Sequence, residues 1–440
     1  MTMALSIVNP QPQRLAGPSL LHQLVATKGD QQIIAIEYLS AGGVTQNLSY
    51  AELHERSDRL AARLRAVWDR TSRSRDANFI IPLFLPQSPD LYVAQLATLK
   101  AGAAFCPISL DVPEERLRFI LRDVDAKILL TTTNLRASLP GLDGLTVLSS
   151  DDDTDNVNHE LSKLDIAPSS PAYIMYTSGS TGQPKGVVLS HSAATQALLA
   201  HDRHIPRFSR FLQFASPTFD VSVFEIFFPF FRQSTLICGD RRQLLSDLPA
   251  FINKMDVDAA ELTPSVASSL LQGRSSVPRL RTLLTIGEML KHDVVEQFGG
   301  SDDEESMLYG MYGPTEATIH CTLQPSFDKD MSVGNIGVPL DTVSAFVVKP
   351  LEMDGDAKLP PEIIGVGIEG ELAVGGHQLA DGYLNRPEQT AAAFVQHPDY
   401  GPLYRTGDRA KLTAAGNIEC LGRISSGQVK LRGQVRRNVR

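Results

Sequence analysis

The most informative stretch of this sequence reads Tyr176-Thr177-Ser178-Gly179-Ser180-Thr181-Gly182-Gln183-Pro184-Lys185-Gly186. It contains four Ser or Thr residues, three glycines and one lysine, and strand-like apolar runs lie on both sides of it. Closely spaced backbone N–H groups, hydroxyls and one ammonium suit a polyphosphate ligand, and glycines let the backbone approach that ligand closely. The alternative is a flexible surface loop. The residue composition favours a phosphate-binding loop.

This loop differs from two common functional motifs, and the match to a third motif lies elsewhere in the chain. A Walker loop has Lys and then Ser or Thr directly after the last glycine, whereas Gly182 is followed by Gln183 and Pro184. A hydrolase nucleophile elbow needs glycine two positions before the serine, and Ser178 stands there before Ser180. Residues 365–370 spell GxGxxG, but a strand-like run follows them instead of a helix, which argues against dinucleotide binding.

The composition of the chain excludes several classes of protein. It has 440 residues, of which 42% are hydrophobic and 21% charged, with a net charge of −9. An acidic balance argues against a surface that binds nucleic acid, because phosphate binding needs a basic face. No apolar run approaches the ~18 residues of a membrane span. The first thirty residues also lack a signal-peptide pattern, so we expect no membrane partner and a cytoplasmic location.

Strand-like and helix-like stretches alternate along most of the chain, which predicts parallel sheets covered by helices. Ser49-Tyr50-Ala51-Glu52 is a capping-box pattern that predicts a helix start. After about residue 330, short strands separated by Gly, Pro and Asp predict a β-rich region. The predicted division is a first α/β subdomain at 1–165, a second at 166–325, a β-rich subdomain at 326–422 and a terminal segment at 423–440.

Further motifs accompany the loop in a fixed order. They are Leu48-Ser49-Tyr50-Ala51-Glu52-Leu53, Leu99-Lys100-Ala101-Gly102-Ala103-Ala104-Phe105, Phe219-Asp220-Val221-Ser222, Tyr312-Gly313-Pro314-Thr315-Glu316, Gly370-Glu371-Leu372, Gly382-Tyr383-Leu384, Tyr404-Arg405-Thr406-Gly407-Asp408 and Gly422-Arg423-Ile424. Together with the loop they resemble the motifs of the adenylate-forming superfamily, which includes nonribosomal peptide synthetase adenylation domains, acyl-CoA synthetases and luciferases. The resemblance covers about residues 48–433 and is closest to the adenylation domains, with siderophore synthetases as one candidate group. It implies an α/β fold with two helix-wrapped, largely parallel sheets and a small distorted β-barrel, the large N-terminal lobe of that superfamily.

The resemblance implies a reaction that joins a carboxylate to the α-phosphate of ATP and releases pyrophosphate, with Mg²⁺ bound to the nucleotide. The residues implied for the β- and γ-phosphates are Thr177, Ser178, Gly179, Thr181, Gly182 and Lys185. Thr315 would contact the α-phosphate and Glu316 would hold Mg²⁺, so that both join Lys185 in catalysis. Asp408 would accept hydrogen bonds from the ribose, Arg423 would add a ribose or phosphate contact, and Tyr312 would stack on adenine. Taken alone, Asp408 could instead cap a turn and Glu316 a helix.

Asp220 decides the predicted substrate class. In the family that the sequence resembles, an aspartate at this place binds the α-ammonium of an amino acid, and activators of acyl or aryl acids lack it. A carboxylate among Phe219, Val221 and Phe224 is costly to bury unless a cation meets it. The alternative role is an N-cap for the helix that follows. We therefore predict an amino-acid substrate.

The resemblance also implies which other residues line the amino-acid pocket. They are Val221, Phe224, Glu261, Leu284, Ile286, Met311, Ile319 and His320. Most are apolar, but a buried carboxylate at Glu261 requires a donor or a cation. This suggests a substrate with a polar or basic side chain, such as ornithine or an acylated, hydroxylated ornithine of the kind used in siderophores. Alternatively, Glu261 pairs with a protein group such as His320.

The sequence departs from the family pattern in two places. Gly310 occupies the position that usually carries asparagine in the adenine motif. Near the end, Ser425-Ser426-Gly427 replaces the usual hinge pattern, and the C-terminal lobe with its catalytic lysine is expected to be missing. We therefore expect a substrate-binding core with poor adenylation activity. The full enzyme would pass the amino acid to a carrier-protein domain with phosphopantetheine; the alternatives are the core of an acyl- or aryl-acid ligase and a catalytically inactive binding relative.

Overall fold

The computed structural model describes residues 4–25, 27, 29–71, 79–142, 144–152, 164–177, 183–351, 360–424, 428–431 and 434–437, the last two ranges by their backbone only. The strands are β1 (Ile7–Val8), β2 (Ile34–Leu39), β3 (Thr45–Ser49), β4 (Ile80–Leu83), β5 (Ala104–Pro107), β6 (Ile128–Thr131), β7 (Thr146–Ser149), β8 (Pro171–Thr177), β9 (Lys185–Ser190), β10 (Arg210–Leu212), β11 (Thr235–Gly239), β12 (Ala259–Leu262), β13 (Thr282–Thr285), β14 (Leu308–Tyr312), β15 (Thr322–Gln324), β16 (Asn335–Pro339), β17 (Val343–Val348), β18 (Gly370–Gly376), β19 (Gly382–Tyr383), β20 (Phe394–His397), β21 (Gly401–Leu412), β22 (Ile418–Arg423), β23 (Gln428–Leu431) and β24 (Gln434–Arg437).

The helices fall between these strands and are mostly short. The α-helices are α1 (Tyr50–Thr71), α2 (Pro89–Lys100), α3 (Glu114–Asp123), α4 (Thr133–Arg136), α5 (His191–His204), α6 (Val221–Phe231), α7 (Arg241–Ser246), α8 (Leu248–Lys254), α9 (Pro264–Leu270), α10 (His292–Phe298) and α11 (Pro387–Ala393). Single 3₁₀ turns occur at Leu21–Leu24, Arg274–Ser276 and Thr315–Ala317. In the described ranges, no helix combines the length and the apolar character that a membrane crossing needs.

The start of α1 has the predicted capping box. Ser49 N donates to Glu52 Oε2 at 2.7 Å, and Glu52 N donates to Ser49 Oγ at 3.3 Å. Two backbone donors that the first helical turn leaves open are therefore satisfied by this pair of residues. The apolar face of the helix is buried, with Leu53 and Leu64 fully inaccessible to solvent.

The first sheet has seven strands in the spatial order β19-β9-β8-β5-β4-β6-β7. The strands from β8 to β7 are parallel, and β9 and β19 join antiparallel at one edge. Thr177 and Lys185 are register partners at the open end of the β8–β9 pair. The predicted phosphate loop therefore connects two hydrogen-bonded strand ends.

The second sheet contains a parallel part in the order β14-β13-β12-β10-β11-β2, with β3 antiparallel at its edge. Beyond β14 it continues through β15 and β16 into the antiparallel strands β22, β21, β18, β17 and β1. The predicted α/β class with two helix-flanked sheets is confirmed, and the β-rich region is present as this antiparallel continuation.

The predicted boundary at 165/166 does not separate the two sheets, because each sheet contains strands from both sides of it. Strands β8 and β9 belong to the first sheet, whereas β2 and β3 belong to the second. Local patterns indicate that a strand exists but not which strand it pairs with, so this distribution of strands was not visible in the sequence. The division into four segments stays a prediction.

Helix α6 lies between the two sheets and sets the position of Asp220. Phe227 of α6 stacks on Phe105 of β5, with ring centroids 6.3 Å apart, and the other side of the helix packs on β10 and β11. Glu225, on the same helix, accepts the backbone N–H groups of Phe214 and Ala215 just after β10. Because α6 is held from both sides, its first turn is fixed relative to both sheets.

Candidate active site

A cavity of about 300 Å³ opens at the ends of β13 and β14. Its lining includes the predicted nucleotide residues Tyr312, Asp408 and Arg423, together with Ile286 and Met311. The carboxyl ends of parallel strands are the usual ligand site of open α/β sheets, and the volume lies at the lower end of small-molecule pockets. Residues that are separated by more than a hundred positions in the sequence thus meet at one cavity.

Asp408 is held in this cavity by two donors. Tyr312 donates its hydroxyl to Asp408 Oδ2 at 2.6 Å, and Arg423 Nη1 donates to Asp408 Oδ1 at 3.1 Å. Asp408 and Arg423 are register partners on β21 and β22, which explains why they meet. Burial and the neighbouring Asp408 raise the pKa of Tyr312, so its hydroxyl stays protonated and remains a donor. Each carboxylate oxygen can accept a second hydrogen bond, which leaves capacity for ribose hydroxyls.

Lys185 and Glu316 meet at a second group of side chains beside this cavity. Lys185 Nζ lies 4.1 Å from the centroid of the Tyr383 ring, and the Tyr383 hydroxyl donates to Glu316 Oε1 at 2.7 Å. Burial lowers the pKa of Lys185, the negative charge of Glu316 opposes that shift, and Arg423 adds to it. A lysine, a carboxylate and an arginine are therefore close enough to act on each other electrostatically.

Two tyrosines in this group were not singled out as site residues from the sequence. Tyr383 contacts both Lys185 and Glu316, and Tyr404 hydrogen bonds to Tyr383. Both lie inside motifs that were recognised, so the motifs themselves were the signal. The position of Tyr383 follows from the pairing of β19 with β9, in which it lies opposite Val187.

Glu316 fits a magnesium-nucleotide complex better than a site built by protein ligands alone. In the part of the chain that the structure describes, no group of three or more His, Cys, Asp or Glu residues could hold a metal ion. Mg²⁺ usually keeps several waters and binds through one or two carboxylates and the phosphates of the substrate. One buried carboxylate near the ammonium of a lysine is consistent with that mode.

Asp220 occupies the N-cap position of α6, but its side chain is mainly directed at another segment. Its Oδ1 accepts from the adjacent Val221 N at 3.1 Å, whereas an N-cap normally accepts from the second or third helical residue. Its Oδ2 accepts from Ile319 N at 3.2 Å, and the Thr315 side chain also hydrogen bonds to it. Asp220 is 7% exposed, and burial raises its pKa to about 6. The carboxylate therefore faces the segment that follows Tyr312 rather than only the helix.

Glu261 pairs with His320, which was the alternative considered from the sequence. His320 Nε2 lies 2.7 Å from Glu261 Oε1, and His320 Nδ1 lies 3.0 Å from His201 Nε2. Burial raises the pKa of Glu261 and lowers that of His320 to about 3. The Phe224 ring packs edge-on against His320 at 5.0 Å. His201, on α5, carries no sequence pattern that could have predicted this contact.

The segment from Gly313 to His320 has an unusual backbone. Thr318 and Ile319 have φ values of +56° and +69°, in the left-handed region that β-branched residues rarely adopt. A Cβ at Gly313 would lie 2.1 Å from Ile319 O, so only glycine fits where the segment folds back on itself. This conformation directs Ile319 N toward Asp220 and the His320 ring toward Glu261.

A family profile described as AMP-binding enzyme matches residues 23–384. The chain belongs to this family. It is 55% identical over 434 residues to the nonribosomal peptide synthetase SIDC of Beauveria bassiana, which covers 98% of this chain and 9% of that protein. It is 34% identical to the siderophore peptide synthetase fer3 of Mycosarcoma maydis, and this match covers 98% of this chain and 9% of that protein. The chain thus spans about 9% of the length of these curated relatives.

Solved structures of a nonribosomal peptide synthetase agree with this assignment. A crystal structure of the nonribosomal peptide synthetase FmoA3 superimposes with a TM-score of 0.78 at 26% identity, covering 94% of this chain and 44% of that one. Other solved forms of FmoA3 carry AMPPNP or α-methyl-L-serine-AMP. The predicted relationship to nonribosomal peptide synthetases is confirmed.

The structure describes most of the residues predicted for the site and brings several of them into contact. Leu284 lies within the core, Val221 is half-buried at the start of α6, and Thr177 and Lys185 face each other across the strand pair. Ile286 and Met311, predicted for the amino-acid pocket, also line the cavity of Tyr312 and Asp408. The predicted phosphate ligands outside the described residues are Ser178, Gly179, Thr181 and Gly182.

Proposed function

We propose that this chain binds ATP and an amino acid and joins the amino-acid carboxylate to the α-phosphate, releasing pyrophosphate. The aminoacyl-adenylate would then load the thiol of a carrier protein in nonribosomal peptide synthesis. The observation that carries the amino-acid assignment is the buried carboxylate of Asp220, which faces Thr315 and Ile319 close to Glu316. The nonribosomal peptide synthetases among the relatives support the same reaction.

The chemistry of Asp220 argues for a substrate ammonium. A pKa of about 6 leaves the carboxylate mostly ionised at neutral pH, although it is buried. The charged neighbour that acts on it is Glu316, a second carboxylate, which raises the pKa further. A buried charge is costly without a partner of opposite sign. An α-ammonium group would supply that partner, whereas a fatty or aryl acid would not.

The nucleotide side of the reaction is supported by three groups of residues. Lys185 would neutralise charge on the phosphates, while Thr315 would position the α-phosphate at the reacting carboxylate. Mg²⁺ would supply the remaining positive charge, held through Glu316 and the phosphates. Tyr312 and Asp408 would hold the nucleoside in the cavity, and Arg423 would add a ribose or phosphate contact.

We further propose a substrate with a polar or basic side chain, with a modified ornithine as the specific candidate. Glu261 Oε2 is buried and has no hydrogen-bond partner among the residues that the structure describes. A donor on the substrate side chain would satisfy it while Oε1 stays with His320. The siderophore peptide synthetase fer3 among the relatives supports the same class of substrate. A cytoplasmic location, where ATP and amino acids are available, completes this proposal.

The proposal is tested by ATP–pyrophosphate exchange on protein in which the chain continues past Arg440 into the C-terminal lobe, with a panel of amino acids that includes ornithine and N5-acyl-N5-hydroxyornithine. We expect exchange with one group of amino acids and its loss in Asp220→Ala. Exchange with a carboxylic acid that lacks an amine, at equal rate in Asp220→Ala, would identify an acyl- or aryl-acid ligase instead. Folded protein that shows no exchange with any amino acid would indicate a catalytically inactive binding relative.

The side-chain proposal needs a separate variant. Glu261→Gln keeps a hydrogen bond to neutral His320 but removes the carboxylate that a cationic or donor side chain would meet. We expect the exchange rate with ornithine derivatives to fall relative to that with small amino acids. An unchanged ratio between the two would remove Glu261 from substrate selection and leave the main proposal intact.

A further inference from the structure

We propose that Gln378 is a positioning residue of the amino-acid site, whose side-chain amide holds the segment 317–320 in the conformation that serves Asp220. This inference rests on the proposed function, since it assigns a role to a residue near the site for that substrate. Gln378 lies between β18 and β19, far in the sequence from the segment that it contacts. It was not a candidate site residue in the sequence.

The contacts of Gln378 occupy both ends of its amide. Its Nε2 donates to His320 O at 2.7 Å and lies 3.3 Å from both Ala317 O and Thr318 O. Its Oε1 accepts from Thr342 Oγ1 at 2.6 Å, which fixes the orientation of the amide. The Thr318 hydroxyl donates in turn to the backbone carbonyl of Gln378. The side chain is 1% exposed, so water does not compete for these bonds.

The segment needs such support because its backbone is strained. Two consecutive β-branched residues, Thr318 and Ile319, both have φ in the left-handed region. Conformations of this kind persist only where the surrounding structure holds them. The Gln378 amide contacts the carbonyl groups of Ala317 and His320, on either side of the strained pair, and that of Thr318 within it. Without those contacts, the segment is free to relax toward ordinary backbone angles.

Relaxation of the segment would disturb the amino-acid pocket directly. Ile319 N donates to Asp220 Oδ2 at 3.2 Å, and His320 lies 2.7 Å from Glu261. The nucleotide cavity depends on other contacts, namely those of Tyr312 and Arg423 with Asp408. Loss of the Gln378 amide should therefore weaken amino-acid binding more than ATP binding.

Gln196 offers a matched control. It is also a buried glutamine, and both its amide oxygen and its amide nitrogen bond to the backbone of Leu15. Leu15 N donates to Gln196 Oε1 at 2.7 Å, and Gln196 Nε2 donates to Leu15 O at 2.9 Å. It contacts none of the site residues named above in those bonds. Gln378→Leu and Gln196→Leu thus remove comparable hydrogen bonds at two different places.

The first test measures the KM values of both substrates in ATP–pyrophosphate exchange, on the same protein extended past Arg440 and with the amino acid that the wild type uses best. We expect Gln378→Leu to raise the amino-acid KM about tenfold, as the loss of buried hydrogen bonds would, with the ATP KM changed less than about twofold. Gln196→Leu should change neither. Equal changes in both KM values of Gln378→Leu, or no change at all, would overturn the inference.

The second test is independent of the substrate. Amide hydrogen exchange followed by mass spectrometry should show faster exchange in peptides covering 317–320 in Gln378→Leu, but not in Gln196→Leu. Thr342→Val, which only frees the orientation of the amide, should give a smaller change and serves if Gln378→Leu does not fold. If the amides of 317–320 exchange as slowly in Gln378→Leu and Thr342→Val as in the wild type, the inference is overturned. If the wild type shows no amino-acid-dependent pyrophosphate exchange, the proposed function is overturned. The amide hydrogen exchange of segment 317–320 then still tests the role of Gln378.

Discussion

The Tyr383 hydroxyl donates a hydrogen bond to Glu316 Oε1 at 2.7 Å, and the same ring lies under the ammonium of Lys185. One tyrosine thus orients the proposed magnesium ligand through its polar end and the proposed phosphate ligand through its face. These two functions can be separated experimentally, because phenylalanine retains the face and lacks the hydroxyl.

Tyr383→Phe should therefore raise the Mg²⁺ concentration needed for half-maximal pyrophosphate exchange, about five- to tenfold, since a hydrogen bond to a charged group is lost. Tyr383→Leu should in addition raise the KM of ATP, because the cation–π contact with Lys185 disappears. The measurement is exchange activity against MgCl₂ at several ATP concentrations. The same Mg²⁺ dependence in Tyr383→Phe and wild type would show that the hydroxyl does not orient Glu316.

Asp408→Asn should weaken ATP binding about tenfold or more while the amino-acid KM stays within about twofold, because the amide accepts fewer hydrogen bonds and no longer balances Arg423. Asp341→Asn is a suitable control, since Asp341 forms a surface ion pair with Arg203 at 3.1 Å. Calorimetric titration with ATP measures the first effect. Equal losses of ATP affinity in the two variants would argue against a specific role of Asp408.

Asp220→Asn should stabilise the unliganded protein at neutral pH and abolish amino-acid binding. The pKa of Asp220 rises from 3.8 to about 6 in the folded state. The unfolded state therefore releases this proton first, and the free energy of unfolding falls as pH rises from about 4 to 6. The loss in the free energy of unfolding that the buried Asp220 carboxylate causes is complete above pH 6 and amounts to about 3 kcal/mol. Asparagine carries no such penalty.

Urea unfolding of wild type and Asp220→Asn at pH 7.5 and 4.0 tests this sign. We expect the variant to be more stable at pH 7.5 and the difference to shrink at pH 4.0. Amino-acid binding by the wild type should also decline as the pH falls through about 6. A variant that is less stable at pH 7.5 would mean that the hydrogen bonds of the carboxylate outweigh its burial.

Gly313→Ala should destabilise the fold and abolish exchange, because the added methyl group would lie 2.1 Å from Ile319 O, within the backbone. We expect a loss of about 2 kcal/mol or more in the free energy of unfolding. Gly42→Ala is the control, since its nearest neighbour, Ser40 Oγ, would lie 3.9 Å away. Thermal melts of both variants provide the comparison, and equal melting temperatures would contradict the close approach.

The sequence was most informative where a local pattern determines structure. The capping box of Ser49 and Glu52 marked the start of α1, and the strand-like apolar runs on both sides of the predicted phosphate loop marked β8 and β9. Both features depend on residues within a few positions of each other. Patterns of this length can be read without knowing the rest of the fold.

The site was predictable only through recognised motifs, and the contacts between motifs were not. Tyr312 and Asp408 were both expected to bind nucleotide, yet nothing in the sequence indicated that they would bond to each other. Gln378 and His201 were missed altogether, because their roles depend on contacts with the segment 317–320 from distant parts of the chain. The hydrogen bond from Ile319 N to Asp220 Oδ2 was likewise not predictable from the sequence.

The register between Thr177 and Lys185 limits how the two strands β8 and β9 can evolve. The two strands are neighbours, and β9 is also paired with β19, which carries Tyr383. A residue inserted or deleted within β8 or β9 would force either a slip of the hairpin or a shift of Lys185 away from the Tyr383 ring. Length variation among homologues should therefore be rare here and common at the exposed turn between β2 and β3, where Val44 is 63% exposed.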